Sequence, residues 1–183
     1  SRVLAGTTAR GGDAADDSAR VDALLHSGKD LEEHRYAVES LVDALAPHVR
    51  DLEVEVAPHA LELSNVTHLA TDVSASLVDG SDVLDLVAAL HPTAAVGGTP
   101  TPVALEALRE LELMDRGGYA GPVGWVDARG DGEWGIALRS AEIDGSTVRL
   151  FAGCGVVASS DPEAELAEAQ AKFVPVRDAI SGT

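Results

Sequence analysis

The chain has 183 residues, of which 45% are hydrophobic and 24% charged, and this composition indicates a folded globular protein rather than a disordered segment. Its 31 acidic and 13 basic residues give a formal net charge of -18, which argues against nucleic acid or an anionic membrane as a partner. There is no signal-peptide core and no apolar run of about 18 residues, so no membrane segment is predicted. The single cysteine, Cys154, excludes an internal disulfide framework, and we expect a reducing, cytoplasmic location.

The first half of the chain mixes strand and helix patterns. A strand-like RVLAG run is followed by a segment rich in Gly and Asp that favours a helix start. Helices are predicted over about 15–25 and 30–49, the second from apolar residues at helical spacing. The β-like runs LEVEVA and NVTHLATDVSASLV come next. Two more helices, SDVLDLVAAL and PVALEALREL, flank the turn-rich HPTAAVGGTPT.

From Gly121 onward the apolar period changes to two. The runs GPVGWVDA, EWGIALRSAEI and STVRLFAGCGVV are joined by the turn signals RGDG and DGS, which predicts three strands in an antiparallel meander. SSDPEAE then supplies an N-cap and a proline for a terminal helix. Helices mixed with antiparallel strands predict the α+β class, and because aromatic residues make up only 3% we expect an aliphatic core.

Charged residues share one edge of the terminal helix, at roughly 100° per residue: Glu165, Glu168 and Lys172. This edge borders an apolar stripe that we expect to be buried: Leu166, Ala169, Phe173 and Val176. The early helix repeats the pattern, with Asp30 and Glu33 three residues apart beside its own apolar stripe. If the two edges face each other, up to four carboxylates converge on the oxygen ligands that Mg²⁺ prefers.

A solvated surface is the alternative interpretation of both edges. Glu168 and Lys172 form a favourable pair at i,i+4 spacing worth only about 0.2 to 0.5 kcal/mol, and such pairs are common on exposed helices. His34 and His68 fit packing or capping as well as they fit chemistry. Geometry alone leaves these alternatives open.

Three further segments offer anion-binding groups. Gly153 and Gly155 end a predicted strand, where backbone N–H groups can approach a carboxylate, although a simple bulge explains them equally. Arg139 alternates with apolar neighbours in its predicted strand and is suited to bidentate carboxylate binding, or is simply exposed. Tyr119, in the sequence GGYAG, either donates a hydrogen bond to a ligand or packs at a turn.

Taken together, these segments resemble the chorismate-utilising enzyme family over nearly the whole chain. The segments that carry the resemblance are LAGTTARGG, KDLEEH, THLAT, HPTAAVGGTP, YAGPVGW, GEWGIALRSAEI, VRLFAGCGVV and EAELAEAQAKF. The resemblance implies the α+β chorismate-binding fold, an antiparallel sheet with packed helices. It also implies that residues 1–183 form the C-terminal portion of this domain, with an upstream half of the same protein as their partner.

The resemblance further implies roles for individual residues. The expected Mg²⁺ ligands are Glu33, Glu165 and Glu168, with Asp30 nearby or acting through water. The expected partners of the substrate carboxylates are Tyr119, Arg139, Lys172 and the backbone at Gly153 and Gly155. The residues expected to line the ring are Gly6, Thr7 and His68. Cys154 stands where the family usually has alanine.

At Ala95, within HPTAAVGGTP, the chain resembles the family members that form isochorismate, because members that eliminate pyruvate or insert ammonia usually have threonine at this position. The implied reaction is an Mg²⁺-dependent isomerisation of chorismate, in which water adds at C2 and the C4 hydroxyl leaves, for menaquinone, siderophore or salicylate production. A lysine base and a glutamate acid are expected upstream of LAGT, so His68 and Ala95 are the candidate catalytic-site residues here. The alternatives are a salicylate-forming lyase and a non-catalytic segment that binds Mg²⁺ or a partner protein.

Overall fold

The computed structural model describes residues 1–63, 65–78 and 80–182. Its strands are β1 (Arg2–Ala9), β2 (Val49–Val54), β3 (His59–Glu62), β4 (Val66–Leu77), β5 (Pro122–Val126), β6 (Gly132–Ile136), β7 (Ser140–Asp144) and β8 (Thr147–Phe151). Its α-helices are α1 (Ala14–Leu25), α2 (Gly28–Leu45), α3 (Val83–Leu90), α4 (Ala94–Gly97), α5 (Thr101–Leu111) and α6 (Pro162–Ser181). This mixture of helices and antiparallel strands confirms the α+β class.

Strand β4 is the centre of the largest sheet. β1 pairs with one edge of β4, and β3 and β2 pair with successive parts of the other edge, all antiparallel. The register between β1 and β4 shifts between Leu4 and Thr7, where Gly6 has a φ of 81°, a left-handed conformation that favours glycine. Beyond this bulge Thr7 lies directly opposite His68, so their side chains share one face of the sheet.

Helix α2 packs on this sheet and forms the core with it. The buried core residues are aliphatic, as expected: Val3, Ala5, Ala37, Leu41, Leu45 and Val73. The helix ends at Leu45, earlier than predicted, because Pro47 lacks the N–H that would continue the ladder. A 3₁₀ turn follows at Ala46–His48, and the chain enters β2 at Val49.

Side-chain caps fix where several helices begin. Asp13 accepts hydrogen bonds from the backbone N–H groups of Ala15 and Asp16 at the start of α1. Asp161 accepts one from Ala164 at the start of α6, which confirms the N-cap predicted from SSDPEAE. None of the helices in the described ranges combines the length and the apolar character that crossing a bilayer requires.

The predicted three-stranded meander is wrong. The structure has two separate hairpins, β5–β6 and β7–β8, because the long predicted strand EWGIALRSAEI breaks between Ile136 and Ser140. Ala137 donates a backbone hydrogen bond to Gly121, and Arg139 has a φ of 49°, which interrupts the extended conformation. Arg139 therefore lies in a bend rather than on a strand.

The apolar stripe predicted for the terminal helix is also wrong at its start. Leu166 is 60% exposed, whereas its neighbour Glu165 is only 6% exposed. Helix α6 turns its acidic edge inward because this edge meets Lys29 of α2 rather than an apolar surface. The acidic edge of α6 therefore faces Lys29, in the first turn of α2.

Candidate active site

A cleft of about 1410 Å³ opens beside α2, the β1 bulge, α4, α5 and the segment that follows β8. Ten of the residues predicted to form the site line this cleft: Gly6, Thr7, Glu33, His68, Ala95, Tyr119, Arg139, Gly153, Gly155 and Lys172. Asp30, Glu165 and Glu168 are not part of this lining. The fold therefore brings together most of the predicted residues from segments far apart in sequence.

Thr7 and His68 form a short hydrogen-bonded chain with Arg139. Nε2 of His68 lies 3.4 Å from Nη2 of Arg139, and Nδ1 lies 2.9 Å from Oγ1 of Thr7. Because an arginine only donates, the contact favours an Nε2 that accepts and an Nδ1 that carries the proton. Burial first and the charge of Arg139 second lower the pKa of His68, so the neutral imidazole is favoured. A neutral His68 orients the Thr7 hydroxyl beside the cleft.

His34 is a packing residue by its contacts. It is 3% exposed; its Nδ1 lies 3.0 Å from the Ala5 carbonyl oxygen, and the Thr71 hydroxyl lies 2.7 Å from its Nε2. Burial is the main reason that the pKa of His34 is lowered. The imidazole thus joins α2 to β1 and β4, one residue away from Glu33.

The position of the Glu33 carboxylate depends on the absence of a side chain at Gly155. A Cβ at Gly155 would overlap the Glu33 carboxylate, so glycine allows this carboxylate to lie against the backbone that follows β8. Burial is the largest cause that raises the pKa of Glu33, with an opposing effect of Lys29 and a further increase from Glu168. The side chain thus faces both the cleft and the acidic edge of α6.

Tyr119 is held by aromatic and cationic neighbours. Its ring stacks on Phe151 at a centroid distance of 5.3 Å, and the Arg116 guanidinium lies 5.8 Å from the ring centroid. Arg116 also donates to the Val96 carbonyl oxygen at 2.8 Å and to both carboxylate oxygens of Glu112 at 2.8 and 2.6 Å. Arg116 thereby connects the α4 segment that carries Ala95 to Tyr119, a connection that the sequence motifs did not indicate.

Two ammonium groups lie among the carboxylates of α6. Lys29 Nζ lies 2.6 Å from Glu165 Oε1 and 3.9 Å from Glu168 Oε2. Lys172 Nζ lies 2.7 Å from Glu168 Oε1 and donates to the Gly153 carbonyl oxygen at 3.2 Å. The acidic edge is therefore neutralised by lysines from two helices.

Glu165 supplies the observation that a metal ion would fit here. Both of its carboxylate oxygens are buried, and neither accepts a well-aligned hydrogen bond, although the Lys29 ammonium lies 2.6 Å from Oε1 as an ion pair. Burial raises the pKa of Glu165, but the nearby Lys29, Ser160 and Cys154 outweigh it and leave the pKa lowered. Incompletely satisfied, ionised carboxylate oxygens are suitable ligands for Mg²⁺.

The predicted metal ligands do not form a close group of ligand atoms. Across the described ranges, three potential ligand atoms lie within 4.8 Å of one another only in a partly exposed group, Glu55, His59 and Asp72. There Arg2 already binds both Asp72 oxygens, at 2.6 and 2.8 Å. Asp30, the fourth predicted ligand, instead bonds to Ser27 at the start of α2.

Cys154 has a local structural role. Its thiol donates to the Glu165 carbonyl oxygen at 3.4 Å and so joins the segment after β8 to α6. Burial is the main cause that raises the pKa of Cys154 to about 11, so the thiol stays protonated at neutral pH.

Lys29 was not among the predicted site residues, although the sequence contains a signal for its place at the acidic edge. The chain has just two lysines, Lys29 and Lys172, and both are at this acidic edge. Lysine in the first turn of a helix is also disfavoured by the helix dipole. Its presence there indicates a specific partner.

This fold is that of a chorismate binding enzyme, and the family model of that description matches residues 1–181. The chain therefore belongs to this family, which confirms the resemblance in its motifs. It is 47% identical over 179 residues to the salicylate biosynthesis isochorismate synthase of Pseudomonas aeruginosa, covering 98% of this chain and 38% of that protein.

Two solved structures agree with this assignment. DhbC from Bacillus anthracis is similar with a TM-score of 0.95 and 43% identity, covering 99% of this chain and 49% of that one. The menaquinone-specific isochorismate synthase MenF from Escherichia coli gives a TM-score of 0.85 and 34% identity, covering 97% of this chain and 41% of that one. The chain thus spans less than half the length of each of these relatives.

Proposed function

We propose that the protein containing these residues isomerises chorismate to isochorismate with the help of Mg²⁺. The observation that carries this proposal is the cleft that gathers ten predicted residues beside an acidic edge. Chorismate is a dicarboxylate, and the cleft offers the cations Arg139 and Lys172 for its two carboxylates. The isochorismate synthases among the similar proteins support the same reaction.

The cleft residues bind and orient the substrate. Arg139 is fixed in its bend beside His68, and Lys172 is fixed by Glu168 and the Gly153 carbonyl oxygen. Tyr119 and the backbone at Gly153 and Gly155 complete the contacts to the carboxylates. Gly6, Thr7 and His68 line the ring, where the neutral His68 orients the Thr7 hydroxyl for hydrogen bonding. In this role His68 orients a neighbouring group and does not act as a general acid.

Glu33, Glu165 and Glu168 would hold Mg²⁺, with Asp30 acting from a more distant position. A bound Mg²⁺ supplies positive charge that positions a substrate carboxylate. The fit rests on the buried carboxylate oxygens of Glu165, which have no well-aligned partner. His34 supports this group from within α2, since its two hydrogen bonds fix the helix next to Glu33.

The reaction needs a balanced movement of two protons. Water loses a proton to a base as its oxygen bonds to C2, and the C4 hydroxyl leaves as water after an acid protonates it. We assign the base to a lysine and the acid to a glutamate outside residues 1–183, as the family resemblance implies. The residues described here contribute binding and orientation.

The test is an assay of the full natural protein with chorismate, with and without Mg²⁺, followed by chromatography of the products. We expect isochorismate to form only with the metal. Salicylate together with pyruvate would assign the protein to the lyase alternative. Unchanged chorismate despite measurable Mg²⁺ binding would support the non-catalytic alternative.

Ala95 is the residue through which the choice of product can be examined. Ala95→Thr adds a hydroxyl to the cleft lining, and we expect slower isochorismate formation or the appearance of pyruvate. Ala141→Thr, on the exposed strand β7, is the matched control and should leave the products unchanged. An Ala95→Thr enzyme with the original rate and products would remove Ala95 from the proposal.

A further inference from the structure

Lys29 is the cation that connects the two acidic edges. It belongs to α2, whereas Glu165 and Glu168 belong to α6, and its ammonium lies 2.6 Å from one carboxylate and 3.9 Å from the other. Lys172, by contrast, pairs with Glu168 one turn away on its own helix. Lys29 is thus the lysine that joins the helices through charge.

The location of this ammonium conflicts with a bound divalent cation. Lys29 Nζ contacts the same Glu165 and Glu168 oxygens that are proposed to ligate Mg²⁺. An ammonium and Mg²⁺ repel each other strongly at contact distances, particularly where water is excluded. The two cations therefore compete for one space.

The surroundings of Lys29 allow its ammonium either to pair with the carboxylates of α6 or to move away from them. Its side chain is 25% exposed, so a flexible four-carbon stem can carry the ammonium away toward solvent. Glu165 cannot move to solvent as easily, because its side chain is only 8% exposed. A buried carboxylate that loses one cation must gain another or bind a proton.

We infer that Lys29 is an exchangeable counter-ion of the metal site, which neutralises Glu165 and Glu168 when no divalent cation is bound and is displaced when one binds. This inference rests on the proposed Mg²⁺ site. The Lys29 ammonium then stabilises the metal-free protein and lowers its affinity for Mg²⁺. Removing the ammonium therefore has opposite effects on the two properties.

The experiment compares two variants of the full natural protein that lose one positive charge from the same helix. Lys29→Met removes the proposed counter-ion, and Arg35→Met removes an exposed charge that pairs with Glu39. Mg²⁺ affinity is measured by calorimetric titration, and thermal unfolding is measured in EDTA and in Mg²⁺. Because the two variants have the same net charge, the long-range attraction of the protein for Mg²⁺ is the same in both and does not contribute to the difference in affinity.

We expect Lys29→Met to bind Mg²⁺ about tenfold more tightly than Arg35→Met, a difference of about 1.4 kcal/mol. It should also unfold at a lower temperature in EDTA and gain more in Tm on addition of Mg²⁺. Lys29→Gln, which keeps a hydrogen-bond donor, provides the same comparison if Lys29→Met does not fold without metal. Lys29→Arg keeps the charge and should bind Mg²⁺ less tightly than Lys29→Met.

Weaker or equal Mg²⁺ binding in Lys29→Met would overturn the inference, because the lysine would then assist the metal or be indifferent to it. An unchanged Tm in EDTA would likewise overturn the counter-ion role. If wild-type protein and all variants fail to bind Mg²⁺, the proposed metal site itself is wrong, and the competition with Lys29 is wrong with it. The wild-type titration thus separates failure of the site from failure of the inference.

Discussion

The four-stranded sheet under α2 and the two hairpins are built from similar local patterns but are buried very differently. In the four-stranded sheet, β4 is paired along both edges and its apolar face is covered by α2. In the hairpin β5–β6 every residue of β5 is exposed, including Trp125 at 55%, and in β7 Ile143 is 71% exposed. Alternating sequence therefore determines that a strand forms, whereas the neighbouring elements determine whether its apolar face is covered.

Core truncation should show the largest difference between the two regions. Leu41→Ala removes a side chain that is 5% exposed between α2 and the sheet, and we expect a loss of about 2–5 kcal/mol in the free energy of unfolding. Ile143→Ala in β7 should change it by less than about 0.5 kcal/mol. Denaturant unfolding of both variants measures the contrast, and a comparable loss for Ile143→Ala would show that β7 is covered in solution.

Glycine substitution should separate the cleft from the hairpins in activity. Gly155→Ala places a Cβ against the Glu33 carboxylate, and displacing this group should lower kcat/KM for chorismate by about 10²-fold. Gly135→Ala, in β6, meets no atom within 4 Å and serves as the control. Steady-state kinetics of the full natural protein give the comparison. Equal activity of the two variants would show that Glu33 can shift without consequence.

Arg116 tests whether the α4 segment must be fixed to Tyr119. Arg116→Ala removes its bonds to Val96 and Glu112, and we expect about a tenfold loss in kcat/KM from the misplaced lining. The exposed Arg129 pairs with Asp127 next to the β5–β6 turn, and Arg129→Ala should have no measurable effect. A KM that stays at the wild-type value in Arg116→Ala, with unchanged kcat, would contradict a positioning role.

The smallest expected effect is a pH dependence that originates in the sheet. Because the pKa of His68 is lowered in the folded chain, folding favours its neutral form. This contribution to stability is complete above the unfolded value of about 6.5 and is lost as pH falls through the lower folded value. The slope is at most about 1.4 kcal/mol per pH unit for one proton. Unfolding curves from pH 7 to 5 should be flatter for His68→Gln, and identical slopes would exclude this origin.

Local patterns predicted most of the helices and strands, because caps, prolines and periodicity act within a few residues. These patterns failed where contacts between residues far apart in sequence determine the local structure. The bend at Arg139 depends on Ala137 bonding to Gly121, and the inward edge of α6 depends on Lys29. Strand β3, which is short and follows Pro58, gave no clear signal at all.

The candidate site was predicted from family motifs rather than from chemistry alone. Motifs name residues such as Thr7 and His68 but do not show that the two lie opposite each other after a bulge. They also omit residues that act through others, such as Arg116. The two lysines were visible in the composition, and their rarity in a chain this acidic was the available signal for Lys29.

The mode of attachment of α6 has a consequence for local unfolding. Within the described part of this helix Glu165 is its buried residue, and its attachments include the Lys29 ion pair and the Cys154 thiol. Among the described residues, the core of α2 and the sheet contains none from α6. This helix can therefore open while the rest of the fold persists, so its amide hydrogens should exchange with solvent sooner than those of β4. A ligand that bridges α2 and α6 would slow this exchange, which makes the last helix a reporter of site occupancy.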